Sequence, residues 1–234
     1  MSSVFKFKKF EVDQTGCAMK INTDGVLLGA IVSHAAPTHI LDIGTGTGVI
    51  ALMLAQRYPQ ANIDAVEIDD LAAAAAESNR VNTAFSERIT IHHTAIEKYD
   101  TDIKYQLIVS NPPYFINDLK SADKRKELAR HADEDFFQLL LQKVGGMLAV
   151  DGVLWLVLPV KQAEKVIVNA VLFKLFPSKI IRVYSDHTKT AFRHIICLGF
   201  KSGTVLHEDF YIYESQAVYT CQYKDALKDF LLAF

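Results

Sequence analysis

The stretch Asp42-Ile-Gly-Thr-Gly-Thr-Gly48 ends an apolar run that begins at His39, and it leads directly into a second apolar run, Val49–Tyr58. Glycines between a strand and a helix permit positive φ angles and let a ligand approach the backbone closely. Their G-x-G-x-G spacing differs from the G-x-G-x-x-G of a pyrophosphate binder, and no Lys-Ser or Lys-Thr follows, which excludes a P-loop. The stretch therefore predicts a strand–turn–helix unit that binds the nucleoside part of a cofactor.

Short apolar strands alternate with longer amphipathic helices after this unit, which is typical of a parallel sheet covered on both faces. The predicted strands are His39–Ile43, Ile63–Glu67, Ile89–His93, Gln106–Ser110, Gly152–Leu158, Lys179–Tyr184 and His194–Phe200. The predicted helices are Val49–Tyr58, Asp69–Asn82, Phe136–Leu148, Lys161–Lys174 and Tyr223–Phe234. The last two strands have no helix between them and are expected to form an antiparallel edge hairpin. We therefore predict an α/β fold with a seven-stranded, mostly parallel sheet, in a single domain over residues 1–234.

Two acids are expected to serve the cofactor from the ends of the first two strands. Glu67 closes the second strand, about 20 residues past the glycine loop, where an acid accepts hydrogen bonds from both ribose hydroxyls. Asp42 enters the loop, and its carboxylate is expected either to receive backbone N–H groups of the loop or to face a cofactor ammonium through water. Ligands of such sheets bind at the carboxyl ends of the strands.

The segment Lys20-Ile-Asn-Thr-Asp-Gly25 precedes a predicted helix, Val26–Ser33. Thr23 or Asp24 is expected to cap this helix. The alternative is a functional role, in which the helix N-terminus binds a carboxylate of the cofactor. Residues 1–36 are thus predicted to be an N-terminal extension that contributes to the cofactor site. The full set of predicted cofactor-binding residues is Lys20, Thr23, Asp24, Asp42, Gly44, Gly46, Gly48, Glu67, Ile68, Ile96 and Asn111.

The motif Asn111-Pro-Pro-Tyr114 follows the strand Gln106–Ser110. Proline has no N–H, so the loop offers acceptors, the side-chain carbonyl of Asn111 and the backbone carbonyl of Pro112, to a planar NH2 group. Tyr114 offers a ring for stacking on a flat substrate. Asn-Pro is also a common turn pair, and a structural turn is the alternative. Together with the glycine loop, the motif predicts methyl transfer from S-adenosylmethionine to an exocyclic or amide nitrogen, with Asn111, Pro112 and Tyr114 as catalytic residues.

Basic residues are dense directly after this motif, in residues 115–131. They are expected either to form a solvated helix face or to belong to a mobile loop that grips phosphates. The predicted RNA-binding residues are Lys6, Lys8, Lys9, Lys124, Arg125, Lys126, Arg130 and Arg193.

The composition of the chain limits the class of protein. The net charge of the 234 residues is -2, so RNA contacts must come from local basic patches. Apolar runs are too short for a membrane span, and the N-terminus has no apolar signal core. The three cysteines are expected to be buried thiols, without a disulfide or metal site. We expect a cytoplasmic protein with no metal, no membrane contact and no obligate protein partner.

The chain resembles the bacterial tRNA1(Val) (adenine(37)-N6)-methyltransferase family. The resemblance is carried by Cys17–Lys20, Thr23–Ala30, Leu41–Gly48, Ile63–Glu67, Asn111–Tyr114, Phe192–Arg193 and Tyr219–Phe234. It implies a Rossmann-like class I methyltransferase fold, S-adenosylmethionine as cofactor, and methylation of the adenine beside the anticodon of a valine tRNA.

One position departs from the pattern of such enzymes. They often place an Asp after the third strand to bind the adenine of the cofactor, whereas this chain reads Thr94-Ala-Ile-Glu97, which leaves Glu97 or a backbone group as the substitute. A protein-glutamine N5-methyltransferase and an rRNA guanine N2-methyltransferase are the alternative functions, because they share the two main motifs.

Overall fold

The computed structural model describes residues 3–112 and 123–234, with the side chains of the helix that starts at residue 123 described from residue 135. The strands of this part are β1 (Val4–Lys6), β2 (Glu11–Asp13), β3 (His39–Ile43), β4 (Asn62–Glu67), β5 (Ile89–His93), β6 (Tyr105–Ser110), β7 (Leu148–Pro159), β8 (Phe176–Tyr184), β9 (Arg193–Gly199), β10 (Leu206–Tyr211), β11 (Tyr213–Ser215) and β12 (Val218–Tyr219). The α-helices are α1 (Thr23–Ile31), α2 (Val49–Arg57), α3 (Asp70–Val81), α4 (Asp123–Met147), α5 (Val160–Ala170) and α6 (Cys221–Leu227).

The central sheet has the strand order β10-β8-β9-β7-β6-β3-β4-β5. Every neighbouring pair is parallel except the two pairs that include β9, so β9 alone runs against the other strands. The predicted α/β fold class is confirmed by this arrangement. The chain leaves β3 outward to β4 and β5 and returns with β6 on the other side of β3, which makes the gap between β3 and β6 the topological switch point.

Two apolar cores lie on opposite faces of the sheet. One contains side chains of α1, α2, α6 and the β1–β2 hairpin, and the other contains side chains of α4 and α5. The strands in the middle of the sheet are apolar on both faces, as β6 illustrates with Leu107, Ile108 and Val109 fully buried in succession. These two cores fix the carboxyl ends of β3, β4 and β6 at one edge of the sheet.

The sheet has eight strands, one more than the seven predicted. The additional strand β10 pairs in parallel with β8, so the predicted antiparallel hairpin of β8 and β9 does not form the outer edge. Strand β10 has no continuous apolar pattern in its sequence, Leu206-His-Glu-Asp-Phe-Tyr211, and four of its six side chains are exposed in the structure. The strand is held by its six-residue ladder with β8 and by buried Phe210, and two cross-strand ion pairs at 2.7 Å, Lys179–Glu208 and Arg182–Asp209, add to the pairing.

Several predicted helix boundaries were wrong. Helix α4 begins at Asp123, well before the predicted Phe136, so the second half of the predicted basic loop 115–131 is helical. The charged residues at its start hide the apolar periodicity on which the prediction depended. The C-terminal helix ends at Leu227, and turns follow to the end of the chain.

The three cysteines are free thiols, and Cys221 is exposed rather than buried because it begins α6 at the surface. No helix in residues 3–112 or 123–234 is long and apolar enough to cross a membrane.

Candidate active site

The glycine loop after β3 has the backbone conformation that its sequence predicts. Gly44, Gly46 and Gly48 have φ angles of 72°, 58° and 85°, which residues with a side chain adopt only with strain. Gly48 also packs against α3, because a Cβ at this position would lie 3.4 Å from the Cβ of Ala76. The loop is therefore held close to α3 at the switch point, and the N–H groups of Gly44 and Thr45 fasten it to the carbonyl of Val66 at 2.8 and 3.1 Å.

Glu67, at the end of β4, is buried beside this loop with 7% of its surface exposed. Its Oε2 accepts a hydrogen bond from the backbone N–H of Gly46 at 2.8 Å. Its Oε1 accepts from the N–H groups of Ile68 and Asp69 at 2.8 and 2.9 Å. A carboxylate has about four lone-pair sites, so the carboxylate has room for one further donor, not the two ribose hydroxyls expected from the sequence.

Asp42 is buried next to the glycine loop and lines neither of the two cavities at this edge of the sheet. It is fully buried, and its Oδ2 accepts hydrogen bonds from the Thr45 hydroxyl at 2.6 Å and from the Ala51 N–H at 3.1 Å. Burial raises the pKa of Asp42 to about 7, which these hydrogen bonds oppose and the nearby charge of Glu67 reinforces. The first expected role differs in detail from these bonds, because the donors are a loop hydroxyl and an N–H group of α2 rather than backbone N–H groups of the loop. The second role, facing a cofactor ammonium through water, stays a prediction.

This burial predicts a specific pH dependence of stability. Because the folded pKa of Asp42 lies above its unfolded value, the folded state keeps this proton to a higher pH, and the contribution of Asp42 to the free energy of unfolding falls as pH rises from about 4 to 7. Asp42→Asn does not titrate and has nearly the same shape. We expect the stability difference between wild type and Asp42→Asn to shift in favour of the variant by a few kcal/mol over this range, at about 1.4 kcal/mol per pKa unit. Urea denaturation of both proteins at pH 5 and pH 8 measures it, and parallel pH profiles would contradict it.

The N-terminus of α1 is capped by Asn22, not by the predicted Thr23 or Asp24. The Asn22 side chain accepts a hydrogen bond from the Gly25 N–H at 2.9 Å, because the helix begins three residues earlier than expected. Thr23 is exposed. A Cβ at Gly25 would lie 3.3 Å from Nδ2 of Asn111, so a glycine at this helix start permits the Asn111 side chain to approach closely.

Asp24 and Arg193, predicted to serve the cofactor and the RNA respectively, form an ion pair with each other. Nε of Arg193 lies 2.7 Å from Oδ2 of Asp24, and the carboxylate is nearly buried. The pair joins the first turn of α1 to the start of β9 across 169 residues of sequence. In this arrangement both residues position α1, and their binding roles stay predictions.

Asn111 and Pro112 directly follow β6 on the opposite side of the switch point from the glycine loop. Buried Ser110 donates a hydrogen bond to the carbonyl of Ile43 at 2.7 Å, which ties the ends of β6 and β3 together. Nδ2 of Asn111 points to Oδ1 of Asn22 at 3.5 Å, the outer limit of a hydrogen bond. The other terminal atom of this amide is the side-chain carbonyl oxygen of Asn111, the acceptor that the sequence predicts for the NH2 group of the substrate. Tyr114 lies outside the described residues.

Two cavities meet at this point of the sheet edge, and both are lined by Met19, Gly44 and Pro112. The larger has a volume of about 490 Å³, within the range of small-molecule sites. Its further lining residues are Ile43, Val66, Glu67, Ile68, Asp69, Thr94, Ala95, Ile96, Glu97, Ser110 and Phe136. The smaller is lined further by Lys20, Ile21, Asn22, Gly25, Thr45, Gly46, Thr47, Val49, Ile50 and Asn111. Both cavities are mainly apolar; the larger contains one buried acid, Glu67, and the smaller has the greater polar share.

Two of the three predicted RNA-binding lysines of the N-terminus have partners within the chain. Lys6 forms an ion pair with Glu11 at 2.9 Å, and the ammonium of Lys8 donates to the backbone carbonyls of Lys228 and Phe234. Lys9 is exposed. The side chains of Lys124, Arg125, Lys126 and Arg130 lie outside the described residues. Among the described residues, no group of three or more His, Cys, Asp or Glu side chains is placed to hold a metal ion.

Some residues of the site were not found from the sequence. Asn79 of α3 donates to the carbonyls of Asp13 and Thr47, both at 3.0 Å, and so holds the glycine loop to the N-terminal hairpin. Met19 lines both cavities although 59% of it is exposed. An Asn inside a helix, where this residue type is unfavourable, was the available signal for Asn79. Met19 had no comparable signal.

A glycine loop on one side of the switch point of such a sheet and Asn111-Pro112 on the other define the chain as a class I methyltransferase. A family model, the methyltransferase small domain, matches residues 17–176. Among solved structures, a predicted O-methyltransferase from Agrobacterium tumefaciens has a TM-score of 0.69 at 16% identity, covering 88% of this chain and 96% of that one. A ribosomal protein L11 methylase from Lactobacillus delbrueckii subsp. bulgaricus has a TM-score of 0.58 at 19% identity, covering 80% and 83%. At these identities the structures share the fold.

The sequence relatives are more specific. A tRNA1(Val) (adenine(37)-N6)-methyltransferase from Pedobacter heparinus is 52% identical over all of both chains. One from Christiangramia forsetii is 39% identical over 97% of each chain. This protein belongs to the tRNA1(Val) (adenine(37)-N6)-methyltransferase family.

Proposed function

We propose that this protein transfers a methyl group from S-adenosylmethionine to N6 of an adenine in tRNA, at position 37 of tRNA1(Val). The observation that carries methyl transfer is the meeting of the two cavities, where the glycine loop and Asn111-Pro112 lie side by side. The choice of this tRNA and this nucleotide is supported by the names of the relatives with 52% and 39% identity.

The two cavities fit the two parts of S-adenosylmethionine, a flat nucleoside and a polar amino-acid chain. The apolar walls of the larger cavity, such as Ile68 and Ile96, suit an adenine, and Glu67 at its edge accepts a ribose hydroxyl. The smaller cavity offers Lys20 and the N-terminal turn of α1 to a carboxylate. When bound, the cofactor supplies the electrophilic methyl group.

Asn111 and Pro112 orient the nitrogen that accepts the methyl group. The NH2 group of the substrate donates one hydrogen bond to the side-chain carbonyl of Asn111 and the other to the backbone carbonyl of Pro112. Both bonds favour a pyramidal nitrogen, which directs its lone pair toward the cofactor cavity. The nitrogen loses its proton after the attack, so no strong base is required first. Tyr114 stacks on the base in this proposal.

The basic residues after the Asn-Pro-Pro-Tyr motif are proposed to hold phosphates without reading sequence. Lys124, Arg125, Lys126 and Arg130 provide local positive charge on a chain whose net charge is -2. An unpaired loop adenine suits this site because a duplex base must first leave its stack, at a cost of a few kcal/mol.

Nucleoside mass spectrometry tests the proposed function. Unmodified tRNA is incubated with the enzyme and cofactor labelled in the methyl group, and the products are compared with those from rRNA and a release-factor protein. We expect label in N6-methyladenosine beside the anticodon of tRNA1(Val). Label only in guanosine, or only in a glutamine of the protein substrate, would replace the proposal with one of the two alternative functions.

A further inference from the structure

A second group of side chains lies at the same edge of the sheet as the proposed active site. Because β8 and β10 are parallel to β6, their carboxyl ends, at Tyr184 and Tyr211, point to the same edge as Ser110. In the strand order, β8 and β10 are three and four positions away from β6. At about 4.8 Å per strand this places them roughly 14–19 Å from the end of β6, a span that a few extended nucleotides bridge.

Three aromatic rings form a stack at these strand ends. Tyr184 and Tyr211 lie with ring centroids 4.8 Å apart and an interplanar angle of 20°. His187 stacks on Tyr211 at 4.0 Å and 27°. The two tyrosines are half-buried, whereas 54% of the His187 side chain is exposed. The two tyrosine rings are therefore packed against the protein, and the outer ring of the stack, His187, is accessible to a ligand.

A cavity of about 700 Å³ adjoins the stack between the loop 185–188 and the turn 213–217. The loop is held in shape by Asp186, whose Oδ1 accepts from the N–H and the hydroxyl of Thr188 at 2.8 and 2.5 Å. The N–H of Tyr213 donates to the carbonyl of Ser185 at 2.8 Å, which fastens the turn to the loop. Both walls are therefore in place before any ligand arrives.

The charges of this cavity favour a base over a phosphate. Asp186 and Glu214 line it, and the hydrogen bonds from Thr188 hold the pKa of Asp186 below its usual value, so this acid is ionised at neutral pH. Two carboxylates repel a phosphate but accept hydrogen bonds from the amino groups of a base. Ser215 and Gln216 add neutral polar groups to the lining.

We infer that this His187–Tyr211–Tyr184 stack, with the adjoining cavity, binds one unpaired nucleobase of the RNA substrate, away from the base that is methylated. The inference rests on the proposed function for the identity of the substrate. The base stacks on His187, and its polar edge faces the cavity between residues 185–188 and 213–217. The site thus adds a contact that selects the shape of the RNA loop.

Variants of His187 test this site. An RNA hairpin with the anticodon-loop sequence is added to wild type and to the variants His187→Ala and His187→Phe. The matched control is His207→Ala, because His207 is also an exposed histidine but lies on β10, outside the stack. Fluorescence anisotropy measures RNA affinity, and a methyl-transfer assay gives KM and kcat. Alanine substitution of a stacking ring weakens affinity by about five- to hundredfold. We expect His187→Ala to bind the RNA more weakly and to have a higher KM by this factor. The variants His187→Phe and His207→Ala are expected to stay near wild type, and kcat and cofactor affinity are expected to be unchanged in all three.

Hairpins with one abasic nucleotide at each loop position then locate the base. We expect one position where the abasic substitution weakens wild-type binding as His187→Ala does and has no additional effect on the variant. Unchanged RNA affinity of His187→Ala, or an additive loss at every position, would overturn the site. A hairpin that wild type binds with His187-dependent affinity but does not methylate would contradict the proposed function and leave this site standing.

Discussion

Asn111→Ala is expected to lower kcat for methyl transfer by about 10²–10³ while cofactor affinity stays nearly unchanged. In the proposed function this residue contacts the acceptor nitrogen as the new bond forms, so its removal acts on the transition state more than on binding. Losses of this size are typical when one preorganised polar group aimed at the reacting atoms is removed. Single-turnover kinetics on tRNA, with calorimetry of the cofactor, measure the two effects separately.

Two further variants make this result specific. Asn111→Asp keeps an acceptor oxygen at the same place and is expected to retain more activity than the alanine variant. Asn169→Ala, on α5 in another surface cavity, is a matched control and should behave as wild type. Near-normal turnover of Asn111→Ala would mean that the residue only shapes the turn after β6.

Glu67→Ala is expected to weaken the binding of S-adenosylmethionine by about 10- to 100-fold, because hydrogen bonds to charged groups contribute roughly 1.5–3 kcal/mol each. The variant loses the proposed ribose contact and also the acceptor of three backbone N–H groups, among them that of Gly46 in the glycine loop. Isothermal titration calorimetry measures the affinity.

Glu67→Gln separates these two causes. Its amide keeps one acceptor oxygen, but its NH2 group faces backbone donors, so an intermediate affinity is expected. Thermal unfolding without cofactor serves as the control for a general loss of structure. If calorimetry gives the wild-type affinity for Glu67→Ala, Glu67 only supports the loop and the ribose assignment is wrong.

The sequence predicted those parts of the fold in which apolar patterning and glycine geometry act locally. The strand β3, the loop with its three positive φ angles, and the position of Glu67 follow from such short-range signals. The strand β10 was missed because four of its six side chains are exposed and only Phe210 is buried, so no apolar alternation marks it.

The roles of single side chains were harder to predict because they depend on distant partners. Asp24 was expected at the cofactor, yet it pairs with Arg193, a residue 169 positions away that no local pattern connects to it. Asn22 was overlooked as the cap of α1 because Thr23 and Asp24 are equally good capping residues by type. Residue type thus limits the choice of partners, and the packing of the sheet decides among them.

The anchoring of the N-terminal hairpin bears on the order in which the protein folds during synthesis. The backbone N–H of Lys8 donates to the carbonyl of Phe230 at 2.8 Å, and its ammonium donates to the carbonyl of Lys228. The ribosome adds Lys228 220 residues after Lys8. The hairpin leads into Met19–Asn22, one wall of the smaller cavity. Contacts so distant in sequence form late, since a long loop must close first. A nascent chain that has already completed β3–β6 therefore has the contacts of Asn79 to the hairpin but still lacks those to Lys228 and Phe230, so this wall is fully anchored only when the turns after α6 have been made.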